Sequence, residues 1–306
     1  MDNASLSGAR RALNEHGLRP KKGFGQNFLV DKNILNKIAD AAELDPESIA
    51  FEIGCGLGAL TAALATRAGR VVGMELDTAL KPILTEAFQT DPHVQIVYGD
   101  TLQLEWNRDV LGPLGLAGQT VTICANLPYY ITSPIIFRIL DYGKQVRHAV
   151  LMMQKEVADR LAAKPGTKDY GLLTVMVAYR ADVAPVTRVS RNCFLPVPEV
   201  DSSVIKLTPL PAPRISVESE ALFMRLVREA FQKRRKTMQN VLNSAGWLRP
   251  GAACVLGPLG IDPMRRGETL SLEEFGRIAD ALCAYGRDTD VADQPDRRST
   301  DPGTGC

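Results

Sequence analysis

Short apolar segments alternate with helical patterns through the first half of the chain, and this alternation limits what the chain can fold into. In chain order the predicted segments are helix 32–43, strand 49–53, helix 58–68, strand 70–75, helix 78–89, strand 94–99, strand 120–126, helix 132–141 and strand 148–153. Strands separated by helices are typical of βαβ units, which form parallel sheets. The sequence therefore predicts an α/β fold with a Rossmann-like sheet.

The segments after residue 170 predict the end of this sheet and a second, smaller domain. A helix near 171–180 precedes two extended segments, ADVAPVTRV and SSVIKLTPL, that would close the sheet. Prolines then interrupt regular structure at 208–213, because proline lacks a backbone donor. Beyond them, apolar residues recur at helical spacing over 219–243, and SLEE at 271–274 is a capping box that begins a last helix. We therefore expect an all-helical carboxy-terminal domain.

Four parts follow from these patterns. Residues 1–20 are expected to form a flexible arm, 21–208 the α/β domain, 214–286 the helical domain, and 287–306 a disordered tail with almost no apolar content. No stretch reaches the roughly 18 apolar residues of a membrane span. The amino terminus also lacks the apolar core of a secretory signal. We expect a cytoplasmic protein, not bound to a membrane, with a monomer as the default state.

Composition and charge narrow the classes of site. The six cysteines are scattered without a CxxC pair and the chain has three histidines, so neither a metal site nor a disulfide framework is expected. The net charge of +1 does not by itself suggest a nucleic-acid binder. One compact basic run, KRRK at 233–236, is typical of either a solvated face or a phosphate-binding surface.

A glycine-rich loop follows the first strand of the predicted sheet. In EIGCGLG at 52–58, Gly54 and its neighbours would let a ligand approach the backbone where a helix begins. Two ligands compete: a dinucleotide, or S-adenosylmethionine in a methyltransferase. The dinucleotide pattern G-x-G-x-x-G allows alanine at its last position, which here is Ala59, so spacing alone does not decide. Glu75 ends the second strand and is compatible with both ligands, because each ligand has a ribose whose hydroxyls need hydrogen-bond acceptors.

Polar residues at the next strand ends favour the methyltransferase. Asp100 follows the third strand and Asn126 ends the fourth. Ligands in open α/β sheets bind outside the carboxyl ends of the strands, so both residues should face the crevice that holds Glu75. Asp100 could accept a hydrogen bond from an adenine amino group. Either residue alone could equally be an ordinary turn residue; together they favour a class I methyltransferase sheet.

Residues 126–129 (NLPY) resemble the N/D-P-P-Y/F signature of methyltransferases that act on amino groups. An adenine amino nitrogen is a poor nucleophile, because its lone pair is delocalised into the ring. Two acceptors that hold its hydrogens would favour the reactive, pyramidal nitrogen in the transition state. The side-chain oxygen of Asn126 and the carbonyl of Pro128 could supply them, with Tyr129 stacked on the base. The alternative is a turn whose tyrosine only packs in the core.

A base inside a helix cannot reach such a pocket, so the target must be unpaired or flipped out of its stack. Phe194, in the proline-rich segment 192–198, could stack on the second face of the base. It could equally be a phenylalanine that covers the sheet edge.

Six motifs in order make the chain resemble the ribosomal RNA adenine dimethylases, and among them the bacterial small-subunit branch. The matching segments are GQNFL at 25–29, EIGCGLG at 52–58, NLPY at 126–129, QKEVA at 154–158, FLPVPEVDS at 194–202 and FQKRRKTMQN at 231–240. The resemblance covers residues 20–284 or so. It implies dimethylation, with S-adenosylmethionine as cofactor, of two adjacent adenosines in a hairpin loop near the 3′ end of 16S rRNA, in a pre-30S particle.

The resemblance also implies a role for each matching residue. Asn27 and Leu29 would cover the methionine end of the cofactor, Gly54 would lie at the loop, and Asn126 would lie near the transferred methyl group. Glu75 would bind the ribose and Asp100 the adenine of the cofactor, while Phe194 would be the second stacking partner. The basic helix that contacts rRNA phosphates would carry Lys233, Arg234, Arg235 and Lys236.

Two other functions stay open on sequence. One is the sister group that dimethylates a single adenine of 23S rRNA and confers macrolide resistance. The other is a ribosome assembly or transcription factor that keeps the fold without turnover. The segments FLPVPEVDS and FQKRRKTMQN favour the small-subunit branch by resemblance, and the intact NLPY argues against loss of catalysis.

Overall fold

In the part of the chain that the structure describes, seven strands pair into one sheet, and two further strands form a separate two-stranded sheet. The strands are β1 (Phe28–Leu29), β2 (Ile49–Ile53), β3 (Arg70–Glu75), β4 (Val94–Tyr98), β5 (Val121–Asn126), β6 (Val146–Gln154), β7 (Ala181–Val189), β8 (Phe194–Leu195) and β9 (Ser202–Pro209). The order across the large sheet is β4-β3-β2-β5-β6-β9-β7. Strands β2 to β6 pair in parallel, and β9 runs antiparallel to both β6 and β7. The predicted parallel sheet with a closing pair of extended segments is therefore confirmed.

The computed structural model describes residues 3–244 and 252–292. The helices are α1 (Leu6–Glu15), α2 (Lys32–Ala41), α3 (Ala59–Ala65), α4 (Lys81–Phe88), α5 (Thr132–Tyr142), α6 (Lys155–Leu161), α7 (Leu172–Arg180), α8 (Glu220–Gln232), α9 (Met238–Ser244), α10 (Ala252–Leu256) and α11 (Leu272–Ala292). Within these described ranges no helix has both the length and the apolar content needed to span a bilayer.

Local sequence explains why the first βαβ elements form. The carboxylate of Asp31 caps α2 by accepting hydrogen bonds from the Asn33 and Ile34 amides, and every residue of β2 is buried. The apolar residues of α2 recur on one helical face, where Leu35 and Ile38 enter the core of the sheet. Central parallel strands are covered on both faces, which is why β2 is apolar almost throughout.

Residue contacts divide the chain into two units. The first holds the residues up to Ala163 and Val177–Arg214, and it contains the sheet. The second holds Lys164–Met176 and the residues from Ile215 onward, and its described part is mostly helical. Residues 164–176 thus group with the helical unit, although the sequence placed them in the α/β domain. Hydrogen bonds explain this, because the Gly166 amide and the Tyr170 hydroxyl each donate, at 2.8 Å, to carbonyls of the 268–270 segment.

The amino-terminal segment is not the flexible arm that the sequence predicted. The Ser5 hydroxyl caps α1, and Ala9, Ala12 and Leu13 on one face of this helix are buried. They belong to an apolar cluster that also contains Leu57 of the glycine-rich loop. The prediction was wrong because three of the four buried residues of α1 are small, Gly8, Ala9 and Ala12, and small residues give a weak apolar signal although they allow close packing.

Two predicted helices have different ends in the structure. The single helix predicted over 219–243 is two helices, since α8 ends at Gln232, α9 begins at Met238, and residues 233–237 form a turn. The last helix, α11, continues to Ala292, whereas the sequence placed the disordered tail from 287 onward. The rest of that predicted tail, residues 293–306, lies outside the described residues.

Leu13→Ala tests whether α1 is a packed part of the fold. Leu13 is 5% exposed, so the substitution should lower the free energy of unfolding by about 2 to 4 kcal/mol. Arg10→Ala, on the exposed face of the same helix, should change it by no more than about 0.5 kcal/mol. Urea denaturation measures both. Equal, small effects would mean that α1 does not contribute to the core.

Candidate active site

One cavity lies at the carboxyl edge of the sheet, where the loops after β2, β3, β4 and β5 meet. All nine residues predicted for catalysis or cofactor binding line it: Asn27, Leu29, Gly54, Glu75, Asp100, Asn126, Pro128, Tyr129 and Phe194. Parallel strands bring their carboxyl ends to the same edge, which is why residues distant in sequence meet there. The juxtaposition of these residues is observed, and their individual roles remain predictions.

The glycine-rich loop leaves its backbone open to this cavity. Gly54 has φ +82° and Gly56 has φ +55°, a region that side-chain-bearing residues rarely adopt. The ring of Phe28 lies 3.0 Å from the position that a Cβ on Gly56 would take. A Cβ on Gly54 would lie 3.9 Å from the carbonyl oxygen of Asn126. The loop after β2 and the end of β5 are therefore adjacent.

Glu75 connects the end of β3 with the glycine-rich loop. Its carboxylate is 7% exposed; Oε2 accepts from the Gly56 amide and Oε1 from the Asp77 amide, each at 2.8 Å. Burial raises the pKa of Glu75, and these two backbone hydrogen bonds oppose that shift only in part. A carboxylate has four lone-pair positions, so two backbone bonds leave acceptor capacity for a ligand hydroxyl.

A second carboxylate, that of Asp77, fixes residues 21–27, the segment before β1, beside the cavity. Lys21 Nζ lies 2.7 Å from Asp77 Oδ1, and Gln26 Nε2 donates to Asp77 Oδ2 at 2.9 Å. Burial alone would raise the pKa of Asp77, but the hydrogen bonds from Lys21 and Gln26 outweigh it, and the pKa is lowered. Sequence reasoning missed Asp77, although its position two residues after Glu75 was a usable signal.

Asp100 fits both of its predicted interpretations. It lines the cavity, and its Oδ1 also accepts from the Leu102 amide at 2.8 Å, as a turn residue would. The second carboxylate oxygen is not needed for that turn. The residue can therefore stabilise the loop after β4 and accept a ligand hydrogen bond together.

Asn126 is oriented by the segment before β1. Its Nδ2 donates to the backbone oxygen of Asn27 at 2.9 Å. Because the amide nitrogen faces Asn27, Oδ1 points to the other side of the amide group, where it can accept hydrogen bonds. Asn27 itself donates through Nδ2 to the Gly25 carbonyl at 3.2 Å.

Pro128 does not offer the acceptor that the sequence predicted. Its carbonyl oxygen already accepts from the Ile131 amide at 3.2 Å and from the Thr132 hydroxyl at 3.3 Å. A carbonyl oxygen has two lone pairs, so this one has no remaining capacity for an amine. The reason is local, since residues 129–131 form a helical turn that leads into α5. A motif read from sequence does not show which way its carbonyls point.

The two aromatic residues of the predicted base pocket differ in environment. Tyr129 is partly exposed, but its hydroxyl oxygen is buried and has no hydrogen-bond partner among the described residues. Phe194 is 2% exposed; it is the residue opposite Leu29 in the antiparallel pair of β1 and β8, and it packs in the core beneath. Phe194 thus lines the cavity and also packs against the apolar core, and its stacking on a base stays a prediction.

Glu52, the first residue of the glycine-rich segment, is a buried acid to which the sequence pattern assigned no role. Glu52 is 1% exposed, lines the cavity, and accepts from the Thr61 hydroxyl at 2.5 Å. Burial, only partly offset by that hydrogen bond, raises the pKa of Glu52 to about 8, and the negative charge of Glu75 acts in the same direction. Its position as the first residue of EIGCGLG was the available signal.

The predicted phosphate-binding run lies in the second unit and is not helical. Residues 233–236 form the turn between α8 and α9. Lys233 pairs with Glu229 at 2.9 Å, and Arg234 with Glu268 at 2.7 Å, so both are engaged within their own unit. Arg235 and Lys236 are exposed. Two of the four cations therefore hold ion pairs within their unit, although Arg234 is itself exposed, and the other two are exposed side chains.

Comparisons with known proteins identify the family of this chain. The family model "Ribosomal RNA adenine dimethylase" matches residues 17–280. The chain is 47% identical over 272 residues to "Ribosomal RNA small subunit methyltransferase A" of Geobacter metallireducens, covering 88% of this chain and 98% of the relative. It is also 47% identical over 286 residues to the protein of the same name from Moorella thermoacetica, covering 92% and 99%.

Two solved structures share the fold. A dimethyladenosine transferase from Plasmodium falciparum superposes with a TM-score of 0.69 at 26% identity, covering 85% of this chain and 97% of its own. The 23S rRNA methyltransferase ErmE superposes with a TM-score of 0.64 at 27% identity, covering 84% and 100%.

Glu52→Gln tests the raised pKa of the buried acid. A carboxyl whose pKa is higher in the folded than in the unfolded state binds more protons in the folded state. The folded protein therefore loses stability as pH rises from about 4.5 to about 8. Glutamine keeps an acceptor for Thr61 but does not titrate. The variant should match the wild type near pH 5 and be more stable, by a few kcal/mol, at pH 8 and above. Urea denaturation at several pH values measures this, and identical pH profiles would refute the shift.

Proposed function

Because the chain belongs to the ribosomal RNA adenine dimethylase family, we propose that it transfers methyl groups from S-adenosylmethionine to two adjacent adenosines in the 3′-terminal hairpin loop of 16S rRNA. Each exocyclic amino group would receive two methyl groups. The observation that carries this proposal is the position of Asn126, whose backbone oxygen lies beside Gly54 and which lines one cavity with Glu75 and Asp100.

The small-subunit substrate is favoured over 23S rRNA by the relatives. Proteins named as small subunit methyltransferases are 47% identical over nearly the whole chain, whereas ErmE, named as a 23S rRNA methyltransferase, is 27% identical. We propose 16S rRNA in a pre-30S particle as the partner, the cytoplasm as the location, and a monomer as the working form.

The groups around the cavity fit S-adenosylmethionine. Gly54 leaves backbone accessible, the Glu75 carboxylate can accept from ribose hydroxyls, and the Asp100 carboxylate can accept from the adenine amino group. The segment that carries Asn27 and Leu29 covers the methionine end in this proposal. When bound, S-adenosylmethionine supplies an electrophilic methyl group on a positively charged sulfur.

The residues of the NLPY segment would prepare the target amine. Asn126 Oδ1 accepts one of its two hydrogens, which favours a pyramidal nitrogen with an available lone pair. The Pro128 carbonyl is already occupied, so we assign the second acceptor to the carbonyl of Leu127, the residue between them. The Tyr129 ring stacks on the adenine and holds the nitrogen in line for transfer. Phe194 covers the other face of the base.

No general base is needed before the methyl group arrives. The amine proton becomes acidic only as the new carbon–nitrogen bond forms, so neutral acceptors are sufficient at this position. This matches the residues present, since Asn126 is an amide and the second acceptor is a backbone carbonyl. Catalysis in this proposal comes from orientation and from hydrogen bonds that strengthen in the transition state.

Asn126→Ala tests the proposed amine acceptor. It should lower the rate of methyl transfer by about 10²- to 10³-fold, the cost of one oriented transition-state hydrogen bond. The measurement is transfer of labelled methyl groups to 30S particles from cells that lack the modification. Asn14→Ala, an exposed asparagine on α1, is the matched control and should retain the wild-type rate.

Calorimetry with S-adenosylmethionine and primer extension across the 3′ hairpin complete the test. Wild type that binds the cofactor but leaves both adenosines unmodified would contradict the proposed substrate. Methylation found in 23S rRNA would indicate the sister activity, and failure to bind the cofactor would indicate a factor without turnover. Near-normal turnover of Asn126→Ala would contradict the acceptor role alone.

Arg235→Ala combined with Lys236→Ala tests the open half of the basic run. If these two cations contact phosphates, the double variant should bind 30S particles more weakly. The slope of the logarithm of its binding constant against the logarithm of the salt concentration should also fall in magnitude by roughly 0.7 to 0.9 for each lost contact. Cofactor affinity should not change. Lys144→Ala with Arg147→Ala removes two exposed cations near the amino end of β6 and is the matched control. Equal salt slopes in both double variants would assign residues 235 and 236 to a solvated surface.

A further inference from the structure

The side chain of Tyr130 is exposed to solvent and also lines the cavity. Its side chain is 57% exposed, and among the large apolar residues that the described part of the chain exposes, it is the one aromatic. It also lines the cavity that contains Asn126 and Tyr129. Single exposed apolar residues are common on protein surfaces. An exposed aromatic ring beside a pocket for a base is a more specific observation.

The ring of Tyr130 lies beside Gly25. A Cβ built on Gly25 would lie 3.6 Å from Tyr130 Cε1 and 3.7 Å from Cδ1, so this glycine leaves only the space of one methyl group between its backbone and the ring. The segment around Gly25 is itself fixed, because Gln26 donates to the buried carboxylate of Asp77. One edge of the ring therefore faces an ordered segment, and the exposed part of the ring is available for stacking.

The position of Tyr130 in the chain indicates what it would stack on. It directly follows Tyr129, and consecutive Cα atoms are about 3.8 Å apart. A nucleotide next to the target is likewise joined to it by a single phosphodiester. When one base occupies the pocket beside Tyr129, its neighbour along the strand lies within reach of Tyr130. Unstacked RNA bases bind preferentially to such aromatic faces.

We propose that Tyr130 is a second stacking platform, which binds the base adjacent to the adenosine in the pocket. This inference rests on the proposed function and adds a positioning residue to it. Because an RNA strand has a direction, the platform faces the neighbour on one side of the pocket only, so of two adjacent adenosines it would bind the partner while one of them is in the pocket. The residue holds the flipped strand and does not contact the reacting nitrogen.

The test combines variants of Tyr130 with removal of the neighbouring base. Small-subunit particles are assembled with 16S rRNA to which a 3′ segment has been ligated. In the intact particles this segment carries the target adenosine and its partner adenosine. In the abasic particles an abasic nucleotide replaces the partner adenosine. On the intact particles, Tyr130→Ala should raise the KM for particles roughly tenfold, as expected for one lost base–aromatic stack. Tyr130→Phe keeps the ring and should stay within about twofold of wild type.

On the abasic particles, wild type and Tyr130→Ala should have the same KM, because the stacking partner is gone. Cofactor affinity should be unchanged in both variants. Leu6→Ala, which removes a 43% exposed apolar side chain on α1, is the control and should have no effect on either particle.

Each outcome decides the inference. Equal KM values for wild type and Tyr130→Ala on intact particles would refute it. A loss of the same size on intact and abasic particles would also refute it, since the ring would then act through the fold. Failure of the wild type to methylate either particle would refute the proposed function, and it is distinguishable because the variants would then have no activity to compare.

Discussion

The buried carboxylate of Glu75 is the interaction on which the candidate site depends. It receives one hydrogen bond from the glycine-rich loop and one from the turn after β3, so two loops share a single anchor. Asp77, in that turn, binds Lys21 and Gln26. Asn27 follows Gln26 in the chain, and its backbone oxygen accepts a hydrogen bond from the side-chain amide of Asn126 at the end of β5. A continuous series of contacts thus fixes the cofactor loop, the segment before β1 and the proposed amine acceptor relative to one another.

This arrangement has an energetic cost, which is typical of functional sites. Burial raises the pKa of both Glu52 and Glu75; the charge of Glu75 raises the pKa of Glu52 further, and the charge of Asp77 raises that of Glu75. Buried carboxyls with raised pKa values cost stability at neutral pH. The apolar core under β2 and β5 offsets that cost, because it buries large residues such as Phe51 and Ile123 completely. Stability is supplied by the middle of the sheet, and its carboxyl edge carries the polar groups that line the cavity.

In the proposed function, the two units serve different parts of RNA recognition. The acceptors and aromatic rings of the first unit's cavity would select and hold a base, and the charges of Arg235 and Lys236 in the second unit would contact phosphates. Phosphate contacts position a nucleic acid without reading its sequence, and base contacts supply the selection. Net charge alone would not have suggested this division, because acidic partners balance many of the cations. Lys233 and Arg234 illustrate this, since both pair with glutamates of their own unit.

The sequence by itself determined the parallel sheet, the closing antiparallel pair, the helices after the proline-rich connector and nine of the residues that line the cavity. These follow from apolar periodicity and from polar residues at strand ends, which are local signals in a sheet whose carboxyl ends must meet. Only the tertiary structure decided where each polar group is directed. It showed that the Pro128 carbonyl is used by the turn before α5, that Asp77 holds the segment before β1, and that α1 is packed through small alanines. Hydrogen-bond direction and close packing depend on neighbours distant in sequence, and no local pattern records them.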